Sequence, residues 1–293
     1  MPPHSVQQFL TGFEIGLLVL GTFLVFRLLF NPASRRRWLD TNLLPFWPVS
    51  LVQFVVFIVL LFTGGFSFQT LMRISLGSLI NHAADRSGLE IIIYGTGFHG
   101  GALLGWLLFP FIRKYWDADQ GHTPVPPPTP VIATPPLSWT KALLYAGGTL
   151  LVAMPLLTLL SLGWTYLLKQ LGLPDEPQDL IAIFSNTKSP LVITGMLLVA
   201  CVLAPLNEEL IFRGGLYRFC RQRFGRGAAL LVSSGLFGAM HGNWAGFLPL
   251  AALGALLCLV YEATGSIRII VIAHGLFNLN TVLVVLSGLS QLP

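Results

Sequence analysis

Apolar positions in this chain come in unbroken runs rather than in a two-residue alternation or a single helical stripe. A hydrocarbon layer needs about 20 consecutive apolar residues for one crossing. Runs judged against that length occupy residues 9–30, 46–64, 89–112, 140–168, 190–217, 228–241, 246–263 and 267–288. The pattern predicts an all-α fold, a polytopic membrane helical bundle of about eight transmembrane helices. The sixth run is the shortest, and its start is open toward the basic loop before it. Phe66–Asn81 is amphipathic and carries Arg73, so it reads as an interfacial helix rather than a span. Pro124–Pro136 is too proline-rich for regular helix or sheet and reads as an extended hinge. The expected organisation is a three-span region, 1–116, a cytoplasmic linker, 117–139, and a five-span region, 140–293. No internal repeat of 20 to 50 residues is visible.

Composition agrees with the membrane class. Of 293 residues, 54% are hydrophobic and 10% charged, and the mean hydropathy is +0.74. The formal charge of +5 would suit a nucleic-acid surface, but the basic residues sit in short clusters between apolar runs, so nucleic acid is set aside as a partner. Eleven of them (Arg35–Arg37, Arg113, Lys114, Lys141, Arg218, Arg221, Arg223, Arg226 and Arg268) fall on one side of an eight-span topology. Four (Arg73, Arg86, Lys169 and Lys188) fall on the other. The positive-inside rule puts the first set in the cytoplasm and both termini outside. A bacterial plasma membrane is the expected location, with membrane lipid as the surrounding partner. No basic residue precedes Arg27, so no cleavable signal is expected and the first run should remain as an anchor. Cys201, Cys220 and Cys258 are isolated in sequence, which indicates packing rather than a disulfide framework or thiolate zinc.

Against this background the stretch EELIFR, 208–213, stands out. An ionisable group in hydrocarbon costs roughly 2.5–3.5 kcal/mol on insertion scales unless it faces a partner or a wet cavity. Arg213 lies four residues after Glu209, on the same helical face and in the favoured order. Glu208 then points about 100° away and needs another partner. Two later apolar segments offer polar groups: Phe237 and His241 share one helical face, and His274 and Asn278 share another. Buried polar groups are costly alone, so convergence of these residues is expected. Rise per residue puts Glu208 and Asn278 each roughly 15 Å from the cytoplasmic Arg218 and Arg268, His274 at roughly 9 Å and His241 at roughly 21 Å. Pro205 should break or kink the helix before Glu208.

These three patterns, Glu-Glu-x-x-x-Arg, Phe-x-x-x-His and His-x-x-x-Asn, in this order on membrane spans, resemble the CAAX-protease and bacteriocin-processing (CPBP) family. These are intramembrane endopeptidases related to the Ras-converting CAAX prenyl endopeptidase. The resemblance covers roughly residues 140–288 and not the first three spans. It implies hydrolysis of a peptide bond within the membrane, on a peptide or lipidated-protein substrate. Glu208 would activate water with help from His241, and His274 and Asn278 would stabilise the oxyanion. Glu209 and Arg213 would be structural, and Phe237 a pocket wall. The expected mechanism is metal-free. If zinc is used, Glu208, His241 and His274 supply an acceptable ligand set with water in the fourth position, although H-E-x-x-H is absent.

Other features have plainer expectations. His99, in the glycine-rich GTGFHGG, could line the cavity but is expected to serve helix packing. Glu14 is expected to snorkel to water. The Arg218–Arg226 cluster reads as a topology signal with some capacity for anionic lipid. The competing functions are a non-proteolytic membrane scaffold or bacteriocin-immunity-type binding protein, and a proton-coupled transporter. Against the transporter, the chain shows no inverted pair of broken helices.

Overall fold

The computed structural model describes residues 4–119, 137–176 and 179–288, and among these no strand occurs. The helices are α1 His4–Phe30, α2 Pro32–Leu39, α3 Leu51–Asn81, α4 Arg86–Asp119, α5 Trp139–Gln170, α6 Asp179–Asn186, α7 Pro190–Leu198, α8 Ala204–Glu209, α9 Arg218–Met240, α10 Trp244–Thr264 and α11 Ile267–Leu286. Two π-helical stretches, Val199–Leu203 and Leu210–Tyr217, join α7, α8 and α9 into one helical run. Seven helical runs among the described residues are long and apolar enough to cross a membrane by length and composition. The chain is an integral membrane protein with an all-helical fold. The Pro124–Pro136 hinge lies outside the described residues.

The predicted runs map onto these helices with three differences. Runs 190–217 and 228–241 lie in the single stretch Pro190–Met240, which is interrupted at Gly225, where φ is 80° and ψ 177°. Helix α9 therefore begins at Arg218, inside the basic segment. The second run starts late: 45–50 is not helical, in keeping with the backbone restriction that Pro45 and Pro48 impose on their neighbours. Ser50 and Gln53 then form a capping box that starts α3. Finally, Phe66–Asn81 is not a separate interfacial helix, because α3 continues without a break to Asn81.

That continuity has a packing reason. Gly64 and Gly65, which look like helix breakers, are the contact points of α3 with α4. A Cβ at Gly64 would lie 2.5 Å from the carbonyl oxygen of Gly101, and one at Gly101 would collide with the carbonyl of Gly64. Gly97, Gly101 and Gly105 recur every four residues on α4 and meet Gln69, Gly64 and Leu60 of α3 in turn. Small residues at this spacing let two backbones approach closely where hydrocarbon gives no hydrophobic drive to association.

The chain forms two compact units, each gathered from separated segments. The first comprises the described residues of Met1–Leu44, Pro136–Asn186 and Phe212–Pro293; the second comprises those of Pro45–Pro135 and Thr187–Ile211. In the first unit α5 is central, with α1, α10 and α11 packed on it. Its alanines Ala142, Ala146 and Ala153 are buried against Leu253, Leu257 and Tyr261 of α10 and Ile269, Ile270 and Ala273 of α11. Glu14 of α1 is half-buried and close enough to Asn280 of α11 for the two side chains to interact. In the second unit α4 packs on α3, α7 and α8.

Gly101→Ala should strain the α3–α4 crossing by about 1–3 kcal/mol. Gly77→Ala, on the same α3 but with open space around its Cβ, should be neutral or stabilising through helix propensity. Thermal melts of the two variants in one detergent should therefore show a lower Tm for Gly101→Ala alone.

Candidate active site

The acidic pair sits on a helix widened on both sides. Proline lacks an N–H and crowds the carbonyl four residues earlier. Here the helix adopts π geometry over Val199–Leu203, returns to α at Ala204 with Pro205 in the first turn, and widens again over Leu210–Tyr217. Of the break or kink expected at Pro205, the helix shows a π-helical disturbance of its ladder just before that turn, a feature that recurs at functional sites. In the first unit Ser233 Oγ donates to the Phe212 carbonyl at 3.2 Å, taking up a backbone acceptor of the second widened stretch.

Phe237 organises the candidate residues of the first unit. The Arg213 guanidinium lies 4.3 Å from its ring centroid. The rings of His241 and His274 approach edge-on at 5.0 and 5.6 Å, and that of Phe212 at 5.3 Å. Arg213 and Phe237 are fully buried and His274 nearly so, at 2% exposure. Gly254 of α10 makes this possible, since a Cβ there would come 3.1 Å from Arg213 Nη2 and 3.3 Å from Phe237.

His241 ends α9, and its Nδ1–H donates to the Phe237 carbonyl at 2.7 Å. A carbonyl only accepts, so the proton of neutral His241 resides on Nδ1 and the Nε2 lone pair is left for other chemistry. Gly242, with φ +61°, then turns the chain into α10, which Asn243 caps. Asn278 lies one turn beyond His274 on α11. It is half-buried, as is His241.

Glu208 and Glu209 belong to the second unit. Glu209 is fully buried and Asn207 is 1% exposed, whereas Glu208 is half-buried. The Asn207 amide donates to His99 Nδ1 of α4 at 3.2 Å, and the Glu208 carboxylate is near enough to His99 to interact with it electrostatically. His99 is therefore more than a packing residue: the third span carries an imidazole to the acidic turn. Asn207, which the motif reading passed over, is the link between them.

Sequence reasoning also missed Glu262. This carboxylate, 1% exposed, holds Arg221 at 2.6 Å and Arg226 at 2.7 Å. The basic cluster read as a topology signal is thus partly internal, and Arg223 stacks on Phe219 at 3.9 Å. A lone acid inside the apolar run 246–263 was the available signal. Glu262→Gln should cost roughly 2–3 kcal/mol, below the fully buried case because the two arginines keep 26% and 31% of their side-chain exposure. The expected readout is a lower Tm for Glu262→Gln, with the loss largely absent when Arg221 and Arg226 are replaced together with it.

Residues 190–280 match the family described as Type II CAAX prenyl endopeptidase Rce1-like. The match supports the resemblance of this segment to the CPBP family. It contains all seven residues of the three motifs, from Glu208 to Asn278. A protein of Escherichia coli named "Uncharacterized 24.3 kDa protein" is 29% identical over 195 residues, 63% of this chain and 80% of that protein. No solved structure matches the chain.

Among the described residues no three His, Cys, Asp or Glu side chains gather as a metal-holding group.

Proposed function

We propose that the protein is an intramembrane endopeptidase that hydrolyses a peptide bond of a membrane-embedded peptide or lipidated-protein segment. The observation that carries this reading is the state of His241: its Nδ1–H is committed to the Phe237 carbonyl, which leaves Nε2 as an acceptor inside a CPBP-family segment. Exposure supports part of the division of roles: Glu208, His241 and Asn278 are half-buried, while Glu209, Arg213 and Phe237 are buried and hold the frame, and His274, at 2% exposure, is buried beside Phe237.

In this mechanism Glu208 takes a proton from water as His241 Nε2 accepts a hydrogen bond from the same molecule. The water oxygen bonds to the scissile carbonyl carbon, and the carbonyl oxygen becomes an oxyanion. Asn278 and His274 donate N–H groups to it, where donors aimed at developing charge give the largest catalytic return. The proton held by Glu208 then passes to the amine nitrogen as the C–N bond breaks. Under the positive-inside orientation the substrate reaches the site from the cytoplasmic half of the membrane.

The test is cleavage of a quenched fluorescent peptide library by the purified protein. Glu208→Ala and His241→Ala should each reduce cleavage by about 10²–10⁴-fold, and Asn278→Ala by about 10²–10³-fold. All three should melt as the wild type does, and a zinc chelator should leave wild-type activity intact. Loss of activity under chelator with recovery on adding zinc would make Glu208, His241 and His274 ligands instead. Equal background in every folded protein would remove the proteolytic reading.

A further inference from the structure

The first unit contains a second feature that the hydrolytic reading does not use. Helices α1, α2, α5 and α10 enclose a cavity of about 410 Å3 whose lining shares no residue with the Phe237 cluster. Its walls are Leu24 and Leu28 of α1, Gly148 and Val152 of α5, and Leu256 and Leu259 of α10. The volume lies within the range of ligand-holding pockets, about 300–1,000 Å3. The cavity also opens to the surroundings of the bundle, since its lining residues Leu29 and Leu144 are 58% and 70% exposed.

The same cavity is lined by Arg27, from the last turn of α1, and by Ser34 and Arg35 of α2. Neither guanidinium has an ion-pair partner among the described residues, and both are exposed. Beside them Trp38 and Tyr145 also line the cavity and meet edge-to-face at 5.8 Å. Amphipathic aromatics of this kind sit at headgroup depth. A free anion would satisfy the arginines and leave the walls empty, whereas a neutral lipid would fill the walls and leave the arginines unpaired. An anionic phospholipid answers both halves, as basic pockets between membrane helices do elsewhere.

We propose that this groove holds one anionic phospholipid of the surrounding bilayer, with its phosphate between Arg27 and Arg35 and an acyl chain along α1, α5 and α10. The site does not depend on the proteolytic reading and stands if that reading fails.

Native mass spectrometry of the full chain, delipidated in detergent and titrated with phosphatidylglycerol or phosphatidylcholine, tests it. The wild type should retain one phosphatidylglycerol and discriminate against phosphatidylcholine. Arg27→Ala/Arg35→Ala should lower phosphatidylglycerol affinity by about 30-fold, the combined effect expected of two cations near an anionic headgroup. The wall has its own variant. Gly148 has open space where a Cβ would project, so Gly148→Leu should plug the groove and abolish retention. Gly147→Leu, equally unobstructed but absent from the lining, should retain lipid and shows that the fold survives such a change. Equal retention of phosphatidylcholine, or unchanged affinity in the double arginine variant, would overturn the proposal. So would preferential capture of an S-acylated peptide over phosphatidylglycerol, which would make the groove a seat for substrate lipid.

Discussion

A guanidinium cannot be neutralised by losing its proton, so once Arg213 is enclosed in the bundle its surroundings have to be arranged around a permanent charge. Arg213 is fully buried, and the face of Phe237 lies 4.3 Å from it, a contact worth about 2 kcal/mol or more when desolvated. The rings of His241 and His274 pack on the same phenyl in T-shaped arrangements. Gly254 and Gly238 keep α10 close enough to fix the ring, the latter lying where a Cβ would come 2.6 Å from the Phe247 carbonyl. One aromatic residue thus ties a buried charge to the two imidazoles assigned to the proposed chemistry.

The same economy appears elsewhere. Glu262 uses a single buried carboxylate to hold two arginines of α9, fixing the end of the helix that carries Phe237 and His241. In the second unit, glycines at four-residue spacing bring α4 against α3, and α4 also presents His99 to Asn207. The helix that contributes the acids keeps its continuity through two π-helical stretches. Helix packing and site geometry are therefore set by the same few residues.

The helical class was legible because membrane spans advertise themselves by length and hydropathy, and the three motifs were legible because ionisable groups are rare in such spans. What was not legible depended on partners distant in the chain. Gly64 and Gly65 carry the same local signal whether they end a helix or admit a neighbour, and only Gly101 decides between them. Asn207 carried no signal in sequence, because its partner His99 lies 108 residues away. Glu262 lies 41 residues from Arg221, so the arginine cluster displayed its charge in sequence without its counter-ion. Nothing in sequence linked Glu14 with Asn280, near the other end of the chain. Pro205 was read by its local chemistry alone, and the π-bulge shows that a long helix can absorb the missing donor without ending.

The proposed chemistry depends on His241 keeping its proton on Nδ1 so that Nε2 can accept. Nitrogen-15 NMR of the protein with labelled histidine, assigned by comparison with His241→Ala, reads that tautomer directly. The neutral imidazole should carry its proton on Nδ1 and leave Nε2 unprotonated. A signal from the Nε2–H tautomer would contradict it, because the nitrogen assigned to accept from water would then be a donor.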